Sequence, residues 1–188
     1  MRRLMVFNSV SLDGYFTDKS GDMSWAYNVS PDAEWDAFVA GNASGEGVLL
    51  FGRVTYDLMA GFWPTPQAAQ QMPEVAEGMN KMPKVVFSRT MEKAAWNNTT
   101  LVRDDLASAV RKLKNQPGPD MVILGSGSIV AQLARAGLVD EYQFVVVPVV
   151  LGGGRTMFEG LKEKLTLKRI ESRVFGNGNV FLRYEPAA

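Results

Sequence analysis

One local pattern recurs along the chain: a short apolar run ends at a glycine or serine turn, and a helical pattern follows. The clearest case is GVLLFGRVTYDLMAG, where Val48 to Phe51 predicts a buried strand and Gly52 a junction with a helix beginning near Arg53. Continuous apolar strands alternating with helices are typical of a parallel sheet covered on both faces. The pattern therefore predicts a three-layer α/β/α fold.

The other segments fit this arrangement, and we interpret residues 1–188 as a single domain. Further strands are predicted at Leu4 to Val10, KVVFS, TTLV, Met121 to Leu124 and EYQFVVVPVVL. The closing segments LTLKRIESRVF and NVFLRYE flank GNG, which predicts an antiparallel hairpin. The sheet is therefore expected to be mixed, mostly parallel, with the hairpin at one edge.

Capping residues predict where helices begin and end. In SPDAEWDAFVAGN, Ser30 is the predicted N-cap and Gly41 lies beyond the helix end. Ser128 is the candidate N-cap of a later helix that Gly137 terminates. Another helix is expected to open at Asp104 or Asp105.

The segment 62–83 is the least predictable because it holds four of the nine prolines. Only a short helix is expected there, around Gln67 to Gln71 or Glu74 to Asn80. The sequence assigns this segment no role.

Composition excludes several classes of chemistry. Twenty basic and twenty acidic residues give no net charge, so no long-range field draws in nucleic acid or an anionic membrane. The chain has no histidine and no cysteine, which rules out Ser-His-Asp and Cys-His catalysis, histidine-bound zinc and disulfides. The first apolar run is too short for a secretory core or a membrane span. We expect a cytoplasmic protein without a metal site, whose difficult chemistry a cofactor performs.

The stretch ILGSGSIV admits two interpretations. It fails as a dinucleotide fingerprint because Val130 stands at the third glycine position and no acid follows at the required distance. What remains is a strand end, a flexible turn from Gly125 to Ser128, and a helix N-terminus whose free N–H groups can bind a phosphate. A tight turn capped by Ser128 explains the same residues.

Three further junctions are equally ambiguous when each is taken alone. Gly52-Arg53 is a helix start with a cation beside it. Ser88-Arg89-Thr90 can hold a phosphate monoester or form a solvated turn. In LGGGR, Leu151 to Arg155, the glycines permit either unusual φ angles or close contact with a flat ligand. All follow predicted strands, where open α/β sheets bind ligands.

In their order along the chain these motifs resemble the dihydrofolate reductase superfamily, especially the reductase domain of bifunctional riboflavin-biosynthesis deaminase-reductases. The resemblance spans nearly the whole chain and rests on SLDGYF, GDMSW, LLFGRVTYD, VVFSRT, VILGSGSIVAQLARAGLVDEY, VVPVVLGGGRTMFEG and the final hairpin. It implies a dihydrofolate reductase-like fold. It also implies NADPH-dependent hydride transfer to a small planar heterocycle, of pterin or pyrimidinone type, or to a related carbonyl or imine.

The resemblance further implies which residues bind NADPH. Ser88 and Arg89 would contact the adenosine ribose and its 2′-phosphate, and the glycine junctions would hold the phosphates or border the substrate. The full implied set is Gly52, Arg53, Thr55, Ser88, Arg89, Gly125, Ser126, Gly127, Ser128, Gly153, Gly154 and Arg155.

Three carboxylates are candidate catalytic groups. Folate reductases carry a substrate-binding carboxylate on the first helix after a loop tryptophan, so the resemblance points to Asp32 or Glu34, although both also suit a helix N-terminus. Asp13 either lines the substrate pocket or stabilises a turn. A carboxylic acid donates a proton near neutral pH only where its pKa is raised. Tyr15 and water are the alternative donors.

Two other functions remain open at this stage. One is a nucleotide-binding module of the same fold without turnover, and the other is a reductase that uses a flavin or deazaflavin. The partner expected in every case is a small molecule. The run FVVVPVVL fits either a homodimer contact or a buried core strand.

Overall fold

The computed structural model describes residues 1–27, 30–43 and 46–187. The strands are β1 (Leu4–Ser11), β2 (Tyr15–Thr17), β3 (Val48–Gly52), β4 (Lys84–Phe87), β5 (Thr99–Val102), β6 (Met121–Leu124), β7 (Glu141–Val147), β8 (Arg155–Thr156), β9 (Leu167–Val174) and β10 (Val180–Pro186). The helices are α1 (Ala33–Ala43), α2 (Arg53–Phe62), α3 (Pro66–Gln71), α4 (Pro73–Lys81), α5 (Leu106–Lys114) and α6 (Gly127–Arg135), with a 3₁₀ turn at Ser24–Ala26. Within these residues, no helix is long and apolar enough to cross a membrane.

Eight strands of the described chain form one sheet in the order β5-β4-β3-β6-β1-β7-β10-β9. The strands from β5 to β7 are mutually parallel. Strand β10 is antiparallel to both β7 and β9. The predicted mixed sheet with a C-terminal hairpin is therefore confirmed, and β2 and β8 form a separate short ribbon.

Alternate side chains of each strand point to opposite faces of the sheet, so the apolar runs supply two cores. On one face Leu50 and Ile123 belong to the core that includes residues of α5 and α6. On the other face Leu49 and Phe51 pack in the core with residues of α2, α3 and α4. A third cluster joins α1 to β7 and the hairpin through Phe38 and its neighbours. Helices on both faces make the three predicted layers.

Strand β7 lies between β1 and β10, so both of its edges are paired within the chain. The first four residues of the apolar run FVVVPVVL belong to this core strand, which offers no free edge to a second copy, whereas the strand ends at Val147 and not at Leu151 as predicted. Pro148 stands just beyond the last residue of β7, where its missing N–H removes no bond from the ladder. The homodimer stays a prediction.

Helix α1 begins later in the chain than predicted. Its N-cap is Asp32, whose carboxylate accepts the N–H groups of Glu34 (2.9 Å) and Trp35 (3.0 Å), so the predicted cap Ser30 lies outside the helix. Gly41 lies inside the helix and does not end it.

Helix α6 also has a different cap from the predicted one. Ser126, in the left-handed region with φ of 59°, is its N-cap, and Ser128 is already helical. The other end is as predicted, because Gly137 has φ of 63° and the Leu138 N–H donates to the Leu133 carbonyl at 3.0 Å. That pattern is a Schellman ending.

Both candidate helices of the proline-rich segment form, as α3 and α4. Pro66 and Pro73 are their first residues, where the absent N–H has no intrahelical acceptor to lose. Thr65 caps α3 by accepting the N–H of Ala68. Prolines that disfavour one long helix therefore divide the segment into two short ones.

A buried cation lies at the start of β4. Lys84 is only 1% exposed, and its ammonium donates to the carbonyls of Met82 (2.7 Å), Asn80 (3.2 Å) and Asn97 (3.3 Å). It also lies 4.3 Å from the ring centroid of Trp96. Because these partners are neutral, desolvation dominates and lowers the pKa of Lys84 to about 8.

Lys84 should make the protein more stable as the pH rises from about 8 towards 10.5. Over that range the unfolded chain still binds the proton that the folded chain has released, so folding gains free energy. Lys84→Met should abolish this gain, on the order of 1 to 3 kcal/mol, in urea unfolding measured across the range. The control is Lys168→Met, at an exposed lysine on β9. Parallel pH profiles for wild type and Lys84→Met would show that burial does not shift this lysine.

Candidate active site

The carboxyl ends of the parallel strands meet at one edge of the sheet. The register places Gly52 beside Phe87 and Ser11 beside Val147. Residues that follow these strands therefore share the edge, which brings together the SLDG turn, Gly52-Arg53, Ser88-Arg89, Gly125-Ser126 and the loop 148–154. The structure thus gathers the junctions that the sequence singled out.

Two of the junctions are hydrogen-bonded to each other. The Gly52 N–H donates to Ser126 Oγ, and the Ser126 N–H donates to Thr55 Oγ1, both at 2.9 Å. The buried side chain of Asn8 accepts the Gly125 N–H at 2.7 Å and donates back to the Gly125 carbonyl at 3.3 Å. These N–H groups already have protein acceptors. A phosphate at this edge must find other donors.

The glycines of this stretch are required first by packing. Gly125 has φ of 57°, and a Cβ there would lie 2.7 Å from Thr55 Cγ2. A Cβ on Gly127 would lie 2.8 Å from the ring of Phe16 on β2, so the short ribbon covers the start of α6. The N–H groups of Gly127 and Ser128 begin that helix and have no intrahelical acceptor. They are the donors that the turn leaves for an anion.

Cations and hydroxyls lie beside this pair of junctions. Arg53 Nη1 donates to Thr90 Oγ1 at 2.8 Å, which joins the start of α2 to the turn after β4. Arg53 Nε also lies 3.5 Å from the carboxylate of Asp57. Ser88 Oγ accepts the N–H of Thr90, and Arg89 is exposed. Two guanidinium groups and two hydroxyls therefore occupy one short stretch of the edge.

Asp13 connects the SLDG turn to the LGGGR loop. Its carboxylate accepts the hydroxyl of Ser11 (2.7 Å) and the N–H groups of Leu151 (3.1 Å) and Gly152 (2.8 Å). These bonds, that of Ser11 foremost, hold the pKa of Asp13 below its usual value. An ionised carboxylate with these partners anchors a loop. It is unsuited to donate a proton near neutral pH.

The glycines of the LGGGR loop allow it to lie against the segment after β2. A Cβ on Gly154, which has φ of 150°, would overlap the carbonyl of Thr17. A Cβ on Gly153 would overlap the side chain of Lys19. Arg155 is exposed and, with Lys19, lines a polar cleft of about 260 Å³. The loop therefore brings two cations to the same end of the sheet.

Asp32 and Glu34 tie α1 to the terminal hairpin. Asp32 accepts the N–H of Asn177 (3.0 Å) in addition to the helix N–H groups, and these backbone bonds, that of Trp35 first, lower its pKa. Glu34 Oε1 accepts from Nε (3.0 Å) and Nη2 (2.6 Å) of Arg173 on β9. Neither carboxylate lines the large cavity described next. Their geometry gives both residues structural contacts, and their catalytic role stays a prediction.

A cavity of about 840 Å³ lies between the sheet and helices α1, α2 and α4. Phe7, Leu49 and Val122 contribute to its floor, from three neighbouring strands. At the carboxyl edge it reaches Asn8 and Gly125, so the same residues border the cavity and the glycine junction. A ligand held along the edge can therefore extend into the cavity.

Asp36, which the sequence motifs did not single out, is the carboxylate of α1 that lines this cavity. The residues of its helical stripe that also line the cavity are Val39, Ala40 and Ala43, at spacings typical of one helix face. Phe38 points elsewhere and packs against Phe175, with ring centroids 5.2 Å apart. The spacing of Asp36 and Val39 places both residues on one face of α1. The sequence alone does not show whether that face meets a cavity.

Fold and site together define a class of protein. A mixed α/β/α sheet, with glycine junctions at the carboxyl ends of its parallel strands and an adjoining apolar cavity, is a dihydrofolate reductase-like fold. The structure of dihydrofolate reductase from Enterococcus faecalis, complexed with NADP(H) and RAB-propyl, superposes with a TM-score of 0.64 at 12% identity, covering 99% of this chain and 97% of the other.

Within that class the chain belongs to the RibD C-terminal domain family, whose model matches residues 2–181. A relative, the uncharacterized protein YyaP of Bacillus subtilis (strain 168), is 31% identical over 183 residues, covering 97% of this chain and 94% of the relative. The family is thus supported by both a sequence model and a full-length relative, which confirms the resemblance stated above.

Two further solved structures share the fold. A putative riboflavin biosynthesis protein from Shewanella sp. PV-4 has a TM-score of 0.73 at 24% identity, covering 99% of both chains. A diaminohydroxyphosphoribosylaminopyrimidine deaminase/5-amino-6-(5-phosphoribosylamino)uracil reductase from Thermotoga maritima has a TM-score of 0.71 at 14% identity, covering 99% of this chain and 57% of the other. Two of the three neighbours described are thus named as reductases.

Replacing Gly125 with alanine should destabilise the protein by roughly 1 to 3 kcal/mol, because the new methyl group meets Thr55 and the left-handed φ is unfavourable for alanine. The matched control is Gly61→Ala, which enters open space on α2 and should be neutral or slightly stabilising. Urea unfolding of both variants measures the difference. Equal stabilities would mean that the contact with Thr55 is looser than the structure indicates.

Proposed function

We propose that the protein is an NADPH-dependent reductase that transfers hydride to a small planar heterocycle, or to a related carbonyl or imine. The observation that carries this proposal is the continuity between the edge and the cavity at Gly125. A phosphate-binding edge and an apolar cavity that share one wall suit a dinucleotide whose reactive ring enters the cavity beside a substrate. The family membership supports a reductase.

The hydrogen-bond donors that remain available at the edge fit the anionic part of NADPH. The Gly127 and Ser128 N–H groups and the start of α6 favour a phosphate. Arg53, Ser88 and Arg89 supply guanidinium and hydroxyl donors near the neighbouring strand ends, where a 2′-phosphate would be held bidentately. The N–H groups of Gly52, Gly125 and Ser126 would then shape the edge rather than donate to the cofactor, because they already donate to Ser126 Oγ, Asn8 and Thr55 Oγ1.

The chain's own contribution to the reaction is alignment, exclusion of water and control of one proton. NADPH supplies the hydride when bound. Apolar walls such as Phe7, Leu49 and Val122 exclude water and hold a flat ring against the floor of the cavity. No member of the predicted carboxylate set lines the cavity, so the proton step falls to another group.

Asp36 is the carboxylate best placed for that step. Helix α1 leads into the amino end of β3, so its first turns lie towards the carboxyl edge, where the cavity meets Gly125. Glu46 and Asp120 also line the cavity, but they precede β3 and β6 and therefore lie at the opposite, amino edge. Asp36 can thus act at the substrate nitrogen or oxygen that takes up the proton, next to the carbon that accepts hydride.

The cofactor assignment is tested by titrating NADPH and NADH while tryptophan fluorescence is followed, since Trp35 and Trp63 line the cavity. We expect saturable NADPH binding. Arg89→Ala should weaken NADPH roughly tenfold or more while leaving NADH unchanged. The matched control is Arg169→Ala on the distant strand β9, which should change neither affinity.

Several outcomes would overturn parts of this proposal. Absence of saturable binding of either dinucleotide would exclude the nicotinamide assignment, and preference for NADH would remove the phosphate role of Arg89. A yellow cofactor in the purified protein would instead favour a flavin or deazaflavin carrier. Binding without NADPH oxidation across pterins, pyrimidinones, quinones and aldehydes would favour a nucleotide-binding module.

The proton step is tested by Asp36→Asn. With any member of that panel that is turned over, we expect kcat to fall by about 10²- to 10⁴-fold with NADPH affinity intact. Two controls come from the same helix end: Asp32→Asn should lower the unfolding midpoint because an amide NH₂ cannot accept the N–H of Asn177, and Glu34→Gln should do little because its ion pair is exposed. Loss of turnover in Glu34→Gln but not in Asp36→Asn would reverse the assignment.

A further inference from the structure

The walls of the large cavity carry charge of one sign only. Among the described residues that line it there is no lysine and no arginine, and the charged lining residues are Asp36, Glu46, Glu74 and Asp120. All four carboxylates are exposed, so they form an acidic rim rather than a buried cluster. The residues outside the described ranges are Asn28, Val29, Ser44, Gly45 and Ala188, none of which has a basic side chain.

Two cations at the amino end of the sheet, Arg3 and Lys84, are engaged within the protein. Arg3 pairs with Glu185 at 2.7 Å and with Glu141 at 3.2 Å. Lys84 directs its ammonium to backbone carbonyls. Neither side chain lines the cavity. An anion inside it would lose hydration without gaining a cationic partner among the described lining residues.

The interior is apolar and adaptable. Six of the ten methionines line the cavity: Met5, Met23, Met59, Met72, Met79 and Met82. Methionine is flexible and polarizable, and its enrichment at a binding surface allows ligands of differing shape. Trp35 and Trp63 add flat aromatic surface to the same walls. Such a lining suits an extended, flat, apolar molecule.

The length of the cavity also suits an extended apolar ligand. It runs from Ser9 and Gly125 at the carboxyl edge to Gly47 and Asp120 at the amino edge, beneath α1 and α4. Its volume of about 840 Å³ lies in the upper part of the range for sites that bury a whole small molecule. A ring held beside Gly125 would leave most of this length for an apolar extension.

We propose that this cavity selects flat, apolar substrates that are uncharged or cationic, and rejects phosphorylated ones. The proposal rests on the cavity being the substrate site of the proposed reductase. It separates this chain from a reductase of a phosphoribosylamino-uracil, the substrate named for the structural neighbour from Thermotoga maritima, because that ligand would place a phosphate dianion where the only charged side chains of the described lining are carboxylates. The anionic part of NADPH would be unaffected, since the arginines at the edge would hold it outside the cavity.

Two fluorescent probes test the selection without cofactor or turnover. N-phenyl-1-naphthylamine is uncharged, and 8-anilino-1-naphthalenesulfonate carries the same ring system with one sulfonate. We expect saturable binding of the uncharged probe and at least roughly tenfold weaker binding of the sulfonate in low-salt buffer. Equal or tighter binding of the sulfonate would overturn the proposal.

Matched variants locate the binding and the charge effect. Ala40→Trp fills the cavity and should abolish binding of the uncharged probe, whereas Ala37→Trp, at an exposed position of α1 outside the lining, should not.

Glu74→Lys should strengthen binding of the sulfonate probe about three- to tenfold, whereas Glu77→Lys on the same helix, also exposed but outside the lining, should have little effect. Equal effects within either pair would contradict the assignment to this cavity.

The outcome is independent of the cofactor assignment. Because both probes are titrated without NADPH, failure of dinucleotide binding would leave the charge selection intact. Conversely, a tightly bound sulfonate together with normal NADPH binding would refute only the substrate class. Wild-type protein alone gives the decisive ratio of affinities, so the test does not depend on any variant folding.

Discussion

The hydrogen bonds between the Gly52 and Ser126 junctions are the contacts on which the site depends. Strand pairing alone brings β3 and β6 side by side, but it does not fix the turns that follow them. The Gly52 N–H to Ser126 Oγ bond and the Ser126 N–H to Thr55 bond fix both turns together. Each is worth about 0.5 to 1.5 kcal/mol net, and leaving a buried partner unpaired costs more. The direction of α6, and hence of its free N–H groups, follows from this pairing.

Much of the fold could be predicted because its information is local. Apolar runs identified the strands, GNG the hairpin and Gly137 the end of α6. The N-caps could not be chosen in this way, because several neighbouring residues can cap equally well. Asp32 rather than Ser30 caps α1 because Asn177 of the distant hairpin also donates to its carboxylate. Ser126 rather than Ser128 occupies the N-cap position of α6, where its hydroxyl accepts the Gly52 N–H and not a helix N–H. Long-range contacts decided between locally equivalent choices.

The candidate site, like the fold, could be predicted where local sequence determines it and not where long-range contacts do. That the junctions would gather at one edge followed from the parallel order of the strands. Which polar groups stay free did not follow, since it depends on bonds between turns far apart in sequence. Asp36 was missed because the rotation of α1 is set by packing of Trp35 and Phe38 against Phe175, and that contact joins α1 to the terminal hairpin. The periodicity of the helix alone leaves two faces equivalent.

In the proposed complex, charge of opposite sign at the two ends of the site would orient the cofactor. Arg53, Arg89 and Arg155 lie at the sheet edge, and carboxylates surround the cavity that begins at Gly125. The phosphates of a dinucleotide are attracted to the first region and repelled from the second. The reduced nicotinamide ring is uncharged and can enter the cavity without opposing that field. The charges would thereby favour one orientation of the dinucleotide, with its nicotinamide ring at Gly125 and its phosphates outside the cavity. This preference does not require any contact specific to the ring.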